Sequence, residues 1–416
     1  MKYKSLKRIR IVVLSIILLL NSLVTFSQSI INYNGNITID IDAKEVQSNF
    51  EITFDSLSKV DEIKLFIHQS ANISKISSNS SLIQYKELKE QFIGEDKAIV
   101  INSDEIINRK LTITYAYSLD SVQDKSFQFN KNWLELNLYT AWFPLNMDYG
   151  LFKYKINVQL PTNYKLIGSG IISSDKGTLW EINQNTKSFD IPLIISSQFN
   201  CISIAKGKIK IYYLDLDKEN IRKLKRSANR HYNFLNGILG KSNTNSLTLA
   251  VNQFNRPISY TRKSFISLTV ENSFTIQDEK TLAHEIAHLW WNKASVSSWE
   301  DWLNEGFAEY SSILILRNKY GEDNFNKNIR KLESSINDLP SLYRLKKENT
   351  IEQNVITYKG AYLLYELENK IGRKIFTDFL KIVHNKNIKE TSELLTLIKN
   401  ELGLETKNFV EIKLNK

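Results

Sequence analysis

The chain has 416 residues, with 55 basic and 45 acidic side chains, five histidines and one cysteine. At 42% hydrophobic and 24% charged it has the composition of a folded globular protein, which excludes disordered and fibrous classes. The single cysteine, Cys201, excludes a scaffold of internal disulfides, whereas the formal charge of +10 raises nucleic acid or a membrane surface as partners until that charge is located.

Taken in chain order, residues 2–10 carry Lys2, Lys4, Lys7, Arg8 and Arg10 with no acid. An apolar run follows from Ile11 to Leu20, and Thr25-Phe26-Ser27 puts small residues around an exit site. This is the pattern of a secretory signal peptide over residues 1–27. The alternative is a retained anchor, for which the clean run is short, and an uncleaved segment is the one membrane association expected. Cleavage takes the formal charge from +10 to +5. An exported chain, periplasmic or secreted, does not normally meet nucleic acid, so that partner is excluded, and export without disulfides points to a bacterial envelope or exterior.

Residues 28–212 are mostly strand-like. Segments 36–42, 110–117 and 153–160 alternate apolar and polar residues with period two, separated by Asn, Asp, Ser and Gly clusters that read as turns. They predict an N-terminal antiparallel β domain in which no catalytic constellation is visible. Over residues 213–416 the period becomes helical. A helix is expected from Lys218 to Leu239, short strands at 246–251 and 265–270, then helices at 276–292, 302–320, 358–371, 373–384 and 392–402. Thr275 and Asp278 stand at capping-box spacing before the second of these helices, and Gly321 and Gly372 follow two others. The fold class is therefore α+β, a β domain followed by a mainly helical one.

The chemistry concentrates in Thr281-Leu-Ala-His-Glu-Ile-Ala-His-Leu-Trp-Trp291. His284 and His288, four residues apart on a helix, project from one face, the spacing with which two imidazoles share one zinc. Glu285 is placed to act on water as a general base. Downstream, Trp302-Leu-Asn-Glu-Gly-Phe-Ala-Glu-Tyr310 supplies Glu305 as a third ligand, and two His with one Glu leave a coordination position open, the composition of a catalytic site with one Zn2+ per chain. Glu309, one turn on, either accepts a hydrogen bond from a ligand imidazole or is a solvated helix charge. His68, His231 and His384 have no partner at ligand spacing and read as structural or exposed.

His-Glu-Ile-Ala-His-Leu-Trp-Trp followed by Trp-Leu-Asn-Glu-Gly-Phe-Ala resembles the membrane alanyl aminopeptidase family of zinc metallopeptidases (gluzincins), which includes leukotriene-A hydrolase. Counting weak matches such as Ala141-Trp-Phe-Pro144, the resemblance covers residues 130–405. It implies a β domain packed on a thermolysin-like catalytic domain, in a short form without the family's long C-terminal helical domain. It further implies zinc on His284, His288 and Glu305, Glu285 activating water, and a peptide or protein substrate.

Three departures qualify it. Sixteen residues separate His288 from Glu305, slightly fewer than in the family, and the loop at 295–300 absorbs the difference. The family's Gly-x-Met-Glu-Asn strand, which binds the substrate's free amine, has no counterpart with a carboxylate near 251–260. Indeed no Asp or Glu occurs from Ile221 through Val270, a window holding nine basic residues. Arg256 and Arg262, with Tyr260 between them, become the candidate substrate-binding residues, suited to an acidic or N-blocked substrate. Finally, the family's transition-state tyrosine precedes Lys-Gly by one further residue. Aligned on Lys359 and Gly360, that position holds Thr357, so Tyr358 either reaches an oxyanion through a one-residue backbone adjustment or merely packs. The expected function is an exported zinc metallopeptidase with atypical recognition of the substrate N-terminus. The alternative is a non-catalytic zinc-bearing module that binds peptides or an envelope partner.

Overall fold

In a computed structural model, residues 29–57, 61–94, 96–121, 129, 132–146, 149–253, 258–270, 273–345 and 350–416 are described. The signal-peptide segment and Arg256 lie outside them.

The alternating segments form strands whose inward residues are apolar. Ile30–Asp40 buries Tyr33, Ile37 and Ile39 and exposes the polar residues between. Eight strands build the main sheet, in the order Ile171–Asp175, Leu179–Ser188, Phe152–Gln159, Ile30–Asp40, Glu45–Phe54, Lys110–Ser118, Asn72–Ser78, Ser81–Leu82. Two three-stranded sheets share its core, which gathers Phe50, Phe66, Trp142, Phe143 and Phe152. The sheet is antiparallel except where Ile30–Asp40 runs parallel to Phe152–Gln159, a pairing that period-two alternation cannot distinguish from its antiparallel counterpart.

Strands Asn200–Ile204 and Ile209–Tyr213, placed with the β domain by their alternation, instead join the sheet of the C-terminal half. Their partner, Leu247–Asn252, is an apolar run buried from both faces. The order is Asn200–Ile204, Ile209–Tyr213, Leu247–Asn252, Phe265–Thr269, Tyr260–Arg262, which leaves Tyr260–Arg262 as an edge strand. On this sheet pack the basic helix Lys218–Leu239, the histidine helix Ile276–Ala287 and the glutamate helix Trp302–Ile336. Thr275 and Asp278 form the expected capping box: the Asp278 amide donates to Thr275 Oγ1 at 3.2 Å and the Thr275 amide to Asp278 Oδ2 at 2.7 Å. The histidine helix is shorter than its apolar period because the Leu289 and Trp290 amides turn back to the Ile286 and Ala287 carbonyls, tightening the last turn. The glutamate helix breaks at Gly321, in the left-handed region at φ 82°, and continues to Ile336. Among the described residues, no helix is long and apolar enough to cross a membrane.

Two contacts fix the site's surroundings. Trp133, Ile167 and Ile194 of the β domain pack with Ala250, Tyr260 and Phe265 of the helical domain, so the edge strand is seated on both. The glutamate helix also crosses the Gly360–Ile371 helix at two glycines. A Cβ on Gly306 would stand 2.8 Å from the Gly360 Cα, and one on Gly360 3.0 Å from the Gly306 Cα.

Candidate active site

His284 and His288 lie on one face of the histidine helix with ring centroids 4.9 Å apart and Nε2 atoms 3.2 Å apart. Glu305, near the start of the glutamate helix, reaches between them, with Oε2 3.3 Å from His284 Nε2 and Oε1 3.5 Å from His288 Nε2. One ligand atom from each of the three residues falls within 4.8 Å of the others. The donor set, two imidazole nitrogens and a carboxylate oxygen converging on one point, fits zinc.

The far nitrogens of both rings are held. His284 Nδ1 donates to Glu309 Oε2 at 3.0 Å and His288 Nδ1 to the Trp291 carbonyl at 3.1 Å, which leaves each Nε2 facing the metal position. Glu309 is buried and its other oxygen accepts from Lys280 Nζ at 2.5 Å. Burial works against charge on Glu309, but hydrogen bonds and charge from His284 and Lys280 prevail and hold its carboxyl down at about 2. Burial likewise opposes a charged His284, yet Glu305 and Glu309 together raise its pKa well above the usual histidine value. This ring is built to carry positive charge on Nε2, whether a proton or a cation.

Glu285 lines the same cleft as His284, His288 and Glu305. Thr261 Oγ1, on the edge strand, lies 2.8 Å from Glu285 Oε2 and 2.8 Å from the Glu285 carbonyl, so the Glu285 carboxylate is braced from the strand. Thr261 went unnoticed in the sequence because no motif ties it to a residue 24 positions away. Trp291 and Trp302 are buried behind the site. Trp291 packs at a tilt on Phe307, ring centroids 4.7 Å apart, and donates to Ser311, and Trp302 donates to Thr391, so these rings pack the surrounding helices together.

The site opens into a cleft of about 1550 Å³ between the two domains, walled by Tyr139, Tyr149 and Phe189 on the β-domain side. Thr357 and Tyr358 line the opposite wall. They sit in a π-helical turn, Val355–Lys359, inserted between helices Thr350–Asn354 and Gly360–Ile371. Such a turn holds one more residue than an α-turn, the adjustment that the displaced tyrosine requires. The Tyr358 side chain is partly exposed and its hydroxyl has no hydrogen-bond partner among the described residues, whereas Thr357 is largely buried.

The expected substrate contacts fare differently. Arg262 lines the cleft, but its Nε donates to buried Asp190 of the β domain at 2.8 Å, its Nη1 donates to the Thr261 carbonyl, and its guanidinium lies over Phe189 and Tyr260. Its charge is committed to joining the domains, which removes it as an anchor for an acidic substrate. Tyr260 turns its hydroxyl inward, donating to Glu135 Oε1 at 2.8 Å and accepting from Asn137 at 3.2 Å, so it presents no free hydroxyl to the cleft. Glu135 also receives Ser267 and Trp133, a buried carboxylate beneath the edge strand that nothing in the β-domain pattern marked.

A two-domain α+β fold whose interdomain cleft holds two histidines and a glutamate beside a braced glutamate defines the class of HExxH metallopeptidases. Residues 260–412 match the model of the Peptidase family M1 domain. Endoplasmic reticulum aminopeptidase 2 of Bos taurus is 32% identical over 109 residues, covering 23% of this chain and 11% of that protein. Among solved structures, an M1 zinc metallopeptidase from Deinococcus radiodurans superposes with a TM-score of 0.71 at 17% identity, covering 94% of this chain and 95% of the other. Leukotriene A4 hydrolase of Saccharomyces cerevisiae gives 0.71 at 17% identity, covering 92% of this chain and 66% of its own.

Proposed function

We propose that this protein is a zinc-dependent peptidase of the aminopeptidase-like kind, acting on peptides drawn into the interdomain cleft. The observation that carries the reading is the convergence of His284, His288 and Glu305 beside Glu285, at the floor of a cleft wide enough for a peptide. His284, His288 and Glu305 would hold the metal. When bound, zinc supplies a Lewis acid that polarises the scissile carbonyl and acidifies water. Glu285 Oε2 takes a proton from the attacking water and delivers it to the leaving amine nitrogen. The Thr261 hydroxyl keeps that carboxylate in place, and the Tyr358 hydroxyl supplies a donor for the developing oxyanion. A related metallopeptidase from Deinococcus radiodurans has been solved with a Tyr-Ser-Ala substrate, which supports short peptides as the ligand class.

Recognition of the substrate N-terminus is proposed to be atypical, because the edge strand offers Thr261 and the committed Arg262 to the cleft rather than a carboxylate. Export is proposed from the basic and apolar pattern of residues 1–27. The non-catalytic alternative is not favoured, since all four residues of the site stand together undisturbed.

A peptide library incubated with purified protein tests the reading. Turnover is expected to stop with a chelator, return with zinc, and fall by at least about a thousandfold in Glu285→Gln, within the range that loss of an essential base produces. Full activity in Glu285→Gln overturns it. N-terminal sequencing of protein recovered from an envelope fraction is expected to begin near Gln28, and an intact Met1 argues for a retained anchor.

A further inference from the structure

The cleft carries several charges, and most are accounted for within the fold. Lys280 pairs with Glu309 and Arg262 with Asp190. Glu300 accepts from the Thr391 amide and hydroxyl at 2.7 Å each. Four cations have no such partner among the described residues: exposed Lys331 on the glutamate helix, and three that stand elsewhere on the wall. Lys263 follows the edge strand, Lys293 lies five residues past His288, and Lys389 precedes the helix Thr391–Leu402. All three line the cleft, and none of the three ammonium groups has an ion pair or hydrogen bond among the described residues. Lys263 and Lys293 are only partly exposed.

We propose that Lys263 and Lys293, flanked by Lys389, form an anion subsite that takes a carboxylate of the bound peptide. This rests on the peptidase reading of the same cleft. Partly burying an ammonium strips it of water, and placing a second one nearby adds repulsion. Both effects act here: burial, then the charge of Lys293, lowers the Lys263 pKa, and burial, then Lys389, lowers that of Lys293. An arriving carboxylate relieves both costs through charge-assisted hydrogen bonds. The two lysines come from different elements, the turn after the edge strand and the segment after the histidine helix, and both line the cleft, near enough for the charge of Lys293 to act on Lys263. The cations that sequence reasoning assigned to this task, Arg256 and Arg262, belong to the same basic window as Lys263, which lines the cleft with no ion pair among the described residues.

The carboxylate has two sources, the C-terminus of a short peptide or an Asp or Glu side chain, and peptide pairs separate them. Zinc-loaded Glu285→Gln protein is titrated calorimetrically with an alanine tripeptide and its C-terminal amide, and with tetrapeptide amides carrying Glu or Gln at each internal position. At least one carboxylate member is expected to bind about tenfold or more tightly than its neutral partner, the scale of a hydrogen bond to a charged group. In the Lys263→Gln/Lys293→Gln double variant the ratio is expected to fall toward one. Ratios near one throughout, or a ratio that survives in a double variant melting like its parent, overturn the proposal. If the double variant does not fold, the parent's ratio is followed into high salt, where screening must shrink it, and a salt-independent ratio is equally fatal. A binding preference without turnover by the wild-type chain leaves the subsite standing and removes the peptidase reading instead.

Discussion

Glu309 binds two cations at once, the Lys280 ammonium through Oε1 and the His284 ring through Oε2. Replacing it with glutamine keeps the shape and removes the charge that orients the ring. Zinc affinity of Glu309→Gln, measured by chelator competition, is expected to fall about 10- to 100-fold. An unchanged affinity would mean that the carboxylate serves only Lys280. Thr261→Val removes the hydroxyl that braces Glu285 while preserving the side chain's shape. Its kcat is expected to drop about tenfold with KM little changed, the signature of a displaced base rather than weakened binding. At this scale the sequence was legible where chemistry forces local spacing, as in His284, Glu285, His288 and the nearby Glu305. It was silent on Thr261, Glu135 and Asp190, whose roles come from chain segments brought together only by folding.

The elements followed their own logic. Helices with caps and strong periods were readable, and the capping box at Thr275–Asp278 formed as its residues require. The strands at 200–213 fall within the stretch expected to form the β domain yet join the other sheet, because a strand-like pattern reports burial and not which neighbour supplies the hydrogen bonds. The edge strand Tyr260–Arg262 is only three residues long, below what periodicity can detect, yet it carries the brace for Glu285 and the ion pair to Asp190. Arg262→Met would leave Asp190 buried without its partner. Such a break is expected to cost about 3–5 kcal/mol, measurable by urea unfolding. A cost near zero would show that Asp190 accepts a proton instead, a change its burial already favours.

At the scale of the whole molecule, both domains carry buried histidines away from the His284–His288 pair, His68 in the β domain and His231 and His384 in the helical one. Burial and the charge of Lys97 lower His68 to about 4, and burial lowers His231 to about 4 despite Glu279 3.5 Å away. Both titrate near the ordinary value of 6.5 once unfolded, so between pH 6.5 and 4 the unfolded chain binds more protons than the folded one. Stability is therefore present above 6.5 and lost as the pH falls toward 4, by up to about 3 kcal/mol per histidine at about 1.4 kcal/mol per pKa unit. Melting temperatures of the metal-free protein across this interval are expected to decline, with a shallower slope in His231→Gln. A flat profile would show that acid reaches neither ring in the unfolded state differently from the folded one. The α+β plan was visible in the change from strand-like to helical period along the chain, whereas the interdomain seam of Trp133, Ile194 and Tyr260 depends on contacts between segments far apart in the chain.

The crossing of Gly306 with Gly360 has a mechanical consequence. Glu305 immediately precedes one glycine and the Tyr358 turn lies just before the other, so the Glu305 carboxylate and the cleft hydroxyl are geared to a single point of backbone contact. Enlarging either glycine by one methyl forces the helices apart and displaces both groups together. Gly306→Ala and Gly360→Ala should therefore fail alike, each losing zinc affinity and turnover in parallel, where Tyr358→Phe loses turnover alone.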